Sequence, residues 1–307
     1  MIPQELVSYL AAAGLLSKPC SCLILHAVDR SSSHSVVDLR LRNGERWIVK
    51  RARERRESPG VPTLGAEFAV YELAASQPAL ARLLPECLHR DEATQTLVVR
   101  AAGEQYVPGP STAAAFGADL AALHRATQAN LTLPMRRPWI LDVLEPHGFG
   151  NPATATLVDD RPAVASRLRL LGAALENTCL VHNDMKFDNC VQQDRVHLID
   201  WEIAGSGDPA WDVAGIVQDH LKMALQGAGG LDTLSAFLRA YLDHYAPADP
   251  RAFRMRLSGL AAARLLQSAH EVVLAGGPSA AARQMAHHAA RLLYAPEKLF
   301  AVYRNAA

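Results

Sequence analysis

His182-Asn183-Asp184-Met185-Lys186-Phe187-Asp188-Asn189 is the stretch on which the reading of this chain turns. It has the form H-x-D-x-x-x-x-N, and Asp200-Trp201-Glu202 follows shortly after it. An Asp and an Asn five apart on one tight loop suit phosphoryl transfer. The carboxylate can accept a hydroxyl proton while the Asn amide oxygen reaches a magnesium ion. A second Asp at the end of the next hairpin, Asp200, can hold that ion against nucleotide phosphates. The setting sharpens this reading. Cys179-Leu180-Val181 reads as a short buried strand leading into the loop, and 190–192 with 195–199 as a hairpin leaving it.

Upstream, Val37, Leu39 and Leu41 alternate with Asp38, Arg40 and Arg42, and Asn43-Gly44 supplies the residues of a two-residue hairpin turn. On the return strand, 46–50, Ile48 and Lys50 share a face, so the lysine lies beside an apolar neighbour on a side that could cover a ligand. An amphipathic helix within 1–16, a strand over 22–28 and a polar loop over 29–35 precede this hairpin. After it come an irregular stretch at 57–62, a helix over 64–76, and a second hairpin whose return strand contains 96–99. The small residues Ala101-Ala102-Gly103 form a candidate hinge. Beyond it Ser111 is the expected N-cap of a helix over 112–126, with Phe116, Leu120 and Leu123 at helical spacing. A further helix is expected over 163–176, and about four follow Ala210, broken at 227–230, 246–250 and 276–278. The expected fold class is α+β and bilobal. A small antiparallel-sheet lobe spans 1–103, with the hinge at about 99–103, and a large mainly helical lobe spans 104–307.

The bulk composition excludes some partners. Half of the 307 residues are hydrophobic, and 31 basic residues balance 31 acidic ones, so a globular chain with formal net charge zero is expected. Neither nucleic acid nor a membrane is an expected partner. The basic clusters at 50–56 and at Arg136-Arg137 read as solvated surface. Five scattered cysteines form neither a metal motif nor a disulfide framework, and reduced thiols are expected. Glu5 and the lack of a basic leading segment argue for a helix and against a signal peptide. No run approaches the ~18 apolar residues of a membrane span, and a cytoplasmic location is expected.

The chain resembles the aminoglycoside phosphotransferase and choline kinase branch of the protein-kinase-like fold. Two further stretches carry the resemblance in order. Leu120-Ala121-Ala122-Leu123-His124-Arg125 is similar to the L-A-x-L-H helix before the catalytic loop, and Gly207-Asp208-Pro209-Ala210-Trp211-Asp212-Val213-Ala214 to the segment after the metal Asp. The resemblance spans about residues 22–300 and implies an ATP-dependent O-phosphotransferase, with GTP as an alternative donor and Mg2+ as cofactor. It implies that Asp184 accepts or orients the hydroxyl proton and that Asn189 and Asp200 coordinate magnesium. Lys50 would bind the α- and β-phosphates, with Glu67 holding it in place and Glu72 the weaker choice of partner. Residues 97–103, Val99 and Ala101 among them, would meet the adenine through their backbone. Asp212 would anchor the catalytic loop, His182 would brace it, and His124 would be structural. Trp201 would pack as core beneath the metal site.

Two departures bear on activity. The loop over 29–35 has no glycine to let its backbone approach phosphates, and Ser32 and Ser33 could donate hydroxyl hydrogen bonds in its place. Lys186, two residues after the catalytic Asp, could stabilise transition-state charge or point to solvent. Downstream of Asp212, Asp219, Asp232, Asp243, Asp249 and Glu271 interleave with Lys222, Arg239, Arg251, Arg254 and Arg256. That mixture disfavours a polycationic aminoglycoside or choline as acceptor. It leaves a less cationic small molecule, an antibiotic included, or a peptide Ser/Thr hydroxyl in ribosomal-peptide or other natural-product biosynthesis. The glycine-free loop also admits a nucleotide-binding pseudokinase that acts through a protein partner.

Overall fold

The computed structural model describes residues 4–18, 21–30, 34–52, 64–128, 133–141, 157–158, 160–277 and 279–304. It divides into two compact units, Met1–Gln105 with Val191–Ile203, and Tyr106–Cys190 with Ala204–Ala307. Ser32, Ser33 and the stretch at 57–62 lie outside the described residues.

Period-two alternation builds the first unit. Strands β1 (Ile24–Asp29), β2 (Ser35–Leu41), β3 (Arg46–Arg51), β4 (Cys87–Asp91) and β5 (Thr96–Arg100) form an antiparallel sheet in the order β1-β2-β3-β5-β4. Leu39, Leu41, Trp47, Val49 and Val98 pack on one face with Leu6, Val7 and Leu10 of helix α1 (Gln4–Ala12). The intervening Ile48, Leu97 and Val99 pack on the other with Phe68 of helix α2 (Gly65–Ala74). Lys50 pairs in register with Leu97, so alternation puts its side chain on the α2 face. A four-residue helix, α3 (Pro78–Ala81), follows α2. β6 (Glu104–Gln105), β8 (Cys190–Gln192) and β9 (Val196–Leu198) make a small sheet in the order β6-β8-β9. Only glycine fits where β6 begins: Gly103 has φ +109°, and a Cβ there would lie 2.0 Å from the Gln192 carbonyl oxygen.

Helix stripes build the second unit. α4 (Pro110–Ala126) packs on α7 (Leu231–Tyr245), and α8 (Pro250–Leu274) packs on α6 (Pro209–Leu225) and α9 (Ser279–Tyr294). α5 (Arg161–Ala173) and α10 (Glu297–Arg304) complete the helices described. β7 (Cys179–Val181) and β10 (Gly205–Gly207) pair antiparallel, and β7 leads into the loop at 182–189. None of the described helices is long and apolar enough to cross a membrane.

Several local expectations change. The first hairpin closes through the Leu41 N–H on the Glu45 carbonyl at 2.8 Å, leaving 42–44 as a loop in place of the expected two-residue turn. Asn43 makes its turn with its side chain, accepting from the Glu45 N–H at 3.0 Å, and only Gly44 takes a positive φ, +89°. The N-cap of α4 is Gly109 and not Ser111, because Pro110 fits the first helical position and Thr112 accepts from the Gly109 N–H at 3.1 Å. Among the described residues, five helices follow residue 208 where about four were expected. Cys22 is disulfide-bonded while Cys87, Cys179 and Cys190 are free thiols, so the expectation of five reduced cysteines is corrected.

Candidate active site

In the first unit, Lys50 is 8 % exposed, and its ammonium lies 2.8 Å from Glu67 Oε2 and 2.5 Å from Asp200 Oδ1. Glu67 stands in the first turn of α2, over the face that carries Lys50. Burial alone would lower the Lys50 pKa, but the charges of Glu67 and Asp200 outweigh it and hold the value above that of an ordinary lysine. Asp200 adopts φ +68°, a left-handed conformation sparsely populated by residues other than glycine. Trp201 is fully buried behind it and donates its indole N–H to the Leu198 carbonyl at 3.0 Å. His34, at the end of the 29–35 loop, is buried with Nε2 2.8 Å from the Glu202 carboxylate.

In the second unit, side chains of α6 and α8 hold the backbone of the loop at 182–189. The buried Asp212 carboxylate accepts from the His182 N–H at 2.7 Å and the Asn183 N–H at 3.0 Å. Trp211 Nε1 donates to the Asn183 carbonyl at 3.0 Å, and Asp219 accepts from the Phe187 N–H at 2.7 Å. Arg264 Nη2 donates to the Met185 carbonyl at 2.5 Å. Gly215 makes room for that carbonyl, because a Cβ there would lie 2.0 Å from the Met185 oxygen. Asn183 takes φ +68° under these restraints. Inside the loop, Asn189 Nδ2 donates to the Asp184 carbonyl at 2.8 Å and to Asp184 Oδ2 at 3.1 Å. Its amide oxygen is therefore the atom left for a cation. Lys186 Nζ lies 2.7 Å from the same Asp184 Oδ2. Burial opposes the Lys186 charge, and its bond to Asp184 reverses that, so its pKa is raised. Behind the loop, His124 is fully buried, with Nδ1 2.8 Å from the Tyr241 hydroxyl and Nε2 3.4 Å from Asp212.

A cavity of ≈ 390 Å³ opens beside this loop. Asp184, Lys186 and Asp188 form one wall, Gln218, Asp219, Lys222 and Gln226 of α6 a second, and Arg264, Gln267, Ser268 and Glu271 of α8 a third. Phe187 is its one aromatic lining residue.

The structure therefore brings Lys50, Glu67 and Asp200 together in one unit and Asp184, Lys186 and Asn189 in the other. Val99 lies within the sheet, paired with Ile48 and Cys87, and the Ala101 N–H donates to the Arg46 carbonyl at 2.8 Å. That N–H is thus occupied, although residues 97–103 were expected to offer their backbone to adenine. Among the described residues no cluster of three or more His, Cys, Asp or Glu forms a metal site. The Asp200 carboxylate in the first unit and the Asn189 amide oxygen in the second are each a hard donor of the type that magnesium takes alongside waters and phosphates. Trp211, Gly215, Asp219 and Arg264 hold or line the loop, and sequence reading assigned them no such task. For Trp211 and Gly215 a signal was available, since both lie on the turn of helix around Asp212.

A sheet unit with an ion-paired strand lysine, and a helical unit with a tethered Asp–Asn loop, are the parts of a kinase-like phosphotransferase. The chain belongs to the phosphotransferase enzyme family, whose model matches residues 25–255; it is an ATP-dependent O-phosphotransferase of protein-kinase-like fold. No curated protein sequence matches it. Its structure is similar to that of a choline/ethanolamine kinase family protein from Mesorhizobium loti, at 19% identity over 99% of both chains, with a TM-score of 0.60. It is similar to the choline kinase LicA from Streptococcus pneumoniae, at 14% identity over 94% of this chain and 98% of that one, TM-score 0.58. LicA also has a structure in complex with AMP. A macrolide 2'-phosphotransferase from Brachybacterium faecium aligns at 18% identity over 92% and 97% of the two chains, TM-score 0.51. At these identities the likeness is one of fold.

Proposed function

We propose that this enzyme transfers the γ-phosphoryl group of ATP to a hydroxyl of a small molecule bound in the cavity beside Asp184. The observation that carries this reading is the placement of Asp184 and Lys186 on the wall of a polar cavity of ≈ 390 Å³. That volume suits a small-molecule ligand and is a poor match to an extended peptide. A quaternary ammonium acceptor calls for an aromatic cage, and Phe187 alone does not make one.

In this reading Asp184 Oδ2 is engaged by Lys186 and Asn189, which leaves Oδ1 for the acceptor's hydroxyl proton. The hydroxyl oxygen bonds to the γ-phosphorus as the bond from that phosphorus to the bridging oxygen breaks. ADP departs with the electron pair, and the proton passes to Asp184. Lys50, fixed by Glu67 and Asp200, binds the α- and β-phosphates. Lys186 turns from Asp184 toward the transferring group and offsets its charge. Magnesium, held by Asn189 and Asp200, would neutralise phosphate charge. Ser32 and Ser33 would donate hydroxyl hydrogen bonds to the phosphates, and the backbone of 97–103 would meet the base, ATP being preferred and GTP the alternative. Lobes at 1–103 and 104–307 around a hinge at 99–103 are proposed, residues 191–203 belonging to the first compact unit. A nucleoside triphosphate donor supports a cytoplasmic location.

The test is transfer of labelled γ-phosphate to a panel of hydroxylated small molecules and Ser/Thr peptides by wild type and Asp184→Ala. Transfer to a small molecule that disappears in Asp184→Ala is expected. Transfer that survives the substitution, or that occurs on peptides alone, would overturn the reading.

A further inference from the structure

Arg264 is a buried cation that its surroundings, among the described residues, do not balance. Two other cations set the standard, Lys50 buried and Arg256 half-buried. Lys50 has two carboxylates, and Arg256, two turns earlier on α8, lies 2.7 Å from Asp208 and 2.8 Å from Glu176. Arg264 is 4 % exposed and, among the described residues, pairs with no carboxylate. Its Nη2 donates to the Met185 carbonyl, its Cζ lies 5.0 Å from the Trp211 ring centroid, and its buried Nε has no partner. A carbonyl and an aromatic face soften a buried guanidinium without neutralising it, and an uncompensated buried charge is costly. Arg264 also lines the cavity beside Asp184. Its missing counter-charge is therefore one that a ligand in that cavity can bring.

The rest of the wall limits the ligand's charge. Asp184 pairs with Lys186, and Asp219 lies 3.3 Å from Lys222. Asp188 and Glu271 remain as negative lining against the one positive charge of Arg264. A polyanion would meet more repulsion than attraction, and a polycation would meet Arg264. Gln267 and Ser268, between Arg264 and Glu271 on one face of α8, offer neutral hydrogen bonds to hydroxyls. The size is limited as well, because Arg264 grips the carbonyl of the residue next to Asp184. An anion on the guanidinium and a hydroxyl at the base are then separated by only a few atoms. All of these α8 residues lie beyond residue 255, where the match to the family model ends.

We infer that the acceptor is a small hydroxylated monocarboxylate, its carboxylate on Arg264 and its hydroxyl at Asp184. This rests on the proposed function and names the acceptor's class. Arg264 becomes a specificity-determining residue that, through Met185, also steadies the loop when acceptor is bound.

The experiment measures phosphoryl transfer to matched pairs that differ in the carboxylate: glycerate and glycerol, gluconate and glucitol, serine and serinol, with a broad panel of other hydroxy monocarboxylates. ATP hydrolysis to water is followed in parallel in wild type and Asp184→Ala. At least one acid should exceed its alcohol about tenfold or more in kcat/KM, the scale of one charge-assisted hydrogen bond. That ratio should fall toward one in Arg264→Gln through a raised KM for the acid. Dividing acid by alcohol cancels any general defect from the lost Met185 bond. Should Arg264→Gln fail to fold, Gln267→Glu leaves the tether intact, places a competing carboxylate one turn from Arg264, and should lower the same ratio. Alcohols used as well as acids would overturn the inference. So would an unchanged ratio with kcat reduced for both, which would assign the guanidinium to the transferring phosphoryl group. Asp184-dependent ATP hydrolysis without transfer to any acid would overturn the monocarboxylate class and leave the proposed function standing. Absence of Asp184-dependent turnover altogether would remove the proposed function itself.

Discussion

Lys50 and Asp184 are held in opposite ways. In the first unit an ammonium and two carboxylates hold one another, and the order comes from charge. In the second, the Asp184 carboxylate sits on a loop whose backbone is gripped by Asp212, Trp211, Asp219 and Arg264. Charge clusters can reorganise when a polyanion arrives, because phosphates compete for the same lysine. A backbone-tethered loop cannot reorganise without breaking buried hydrogen bonds. On the proposed function, the contrast teaches that the nucleotide side is built to exchange partners and the acceptor side to stay put.

The largest expected effect lies on the tethered side. Asp184→Asn should reduce phosphoryl transfer by about 10²–10⁴-fold, the usual range for a general base. Affinity for ATP should stay within a few-fold, since Lys50 and Asp200 are untouched. Equal losses of transfer and affinity would break the division of labour. Next comes Asp212→Ala, which leaves the His182 and Asn183 N–H groups buried without an acceptor. A destabilisation of about 2–4 kcal/mol is expected by denaturant titration, at about 1–3 kcal/mol for each unsatisfied group with some relaxation. Glu67→Gln should cost less, about 1–2 kcal/mol, because Lys50 retains Asp200 as a charged partner. Its larger consequence is a KM for ATP raised about tenfold with kcat nearly unchanged.

The smallest effects are in pH, and they separate the two units by sign. The Lys50 pKa is raised above 10.5, so its contribution to stability is complete below that value and is lost as pH rises through the folded-state value. Lys50→Met should erase this alkaline limb. His220, buried on α6 with its ring 4.9 Å from that of Phe187, has its pKa lowered below 6.5 by burial. Its contribution is present above 6.5 and declines as pH falls toward the folded-state value. His220→Leu should flatten that acid limb in a stability titration, and an acid limb identical to wild type would contradict the assignment.

Period-two patterning made much of the first unit legible. Ile48 and Lys50 on one face already placed the lysine, and α2 following β3 supplied Glu67. The H-x-D-x-x-x-x-N spacing likewise exposed Asp184 and Asn189, because a tight loop keeps its chemistry local in sequence. Arg264 and Asp219 were not legible for the opposite reason. Each reaches backbone groups far away in the chain, and in the sequence they look like ordinary members of a mixed-charge helix. The turn at 42–44 and the cap at Gly109 were missed because local alternatives compete. Asn43 could serve by φ or by side chain, and either Gly109 or Ser111 could precede a helix.

The most direct measurement of the central claim is a thermal shift with ATP and magnesium, with GTP and with no nucleotide, on wild type and Asp200→Ala. Ligand binding should stabilise the wild type by about 2.7 kcal/mol at a hundredfold excess over Kd. The account predicts a magnesium-dependent shift in wild type that is lost in Asp200→Ala. The same shift in both proteins, or none in either, would contradict it.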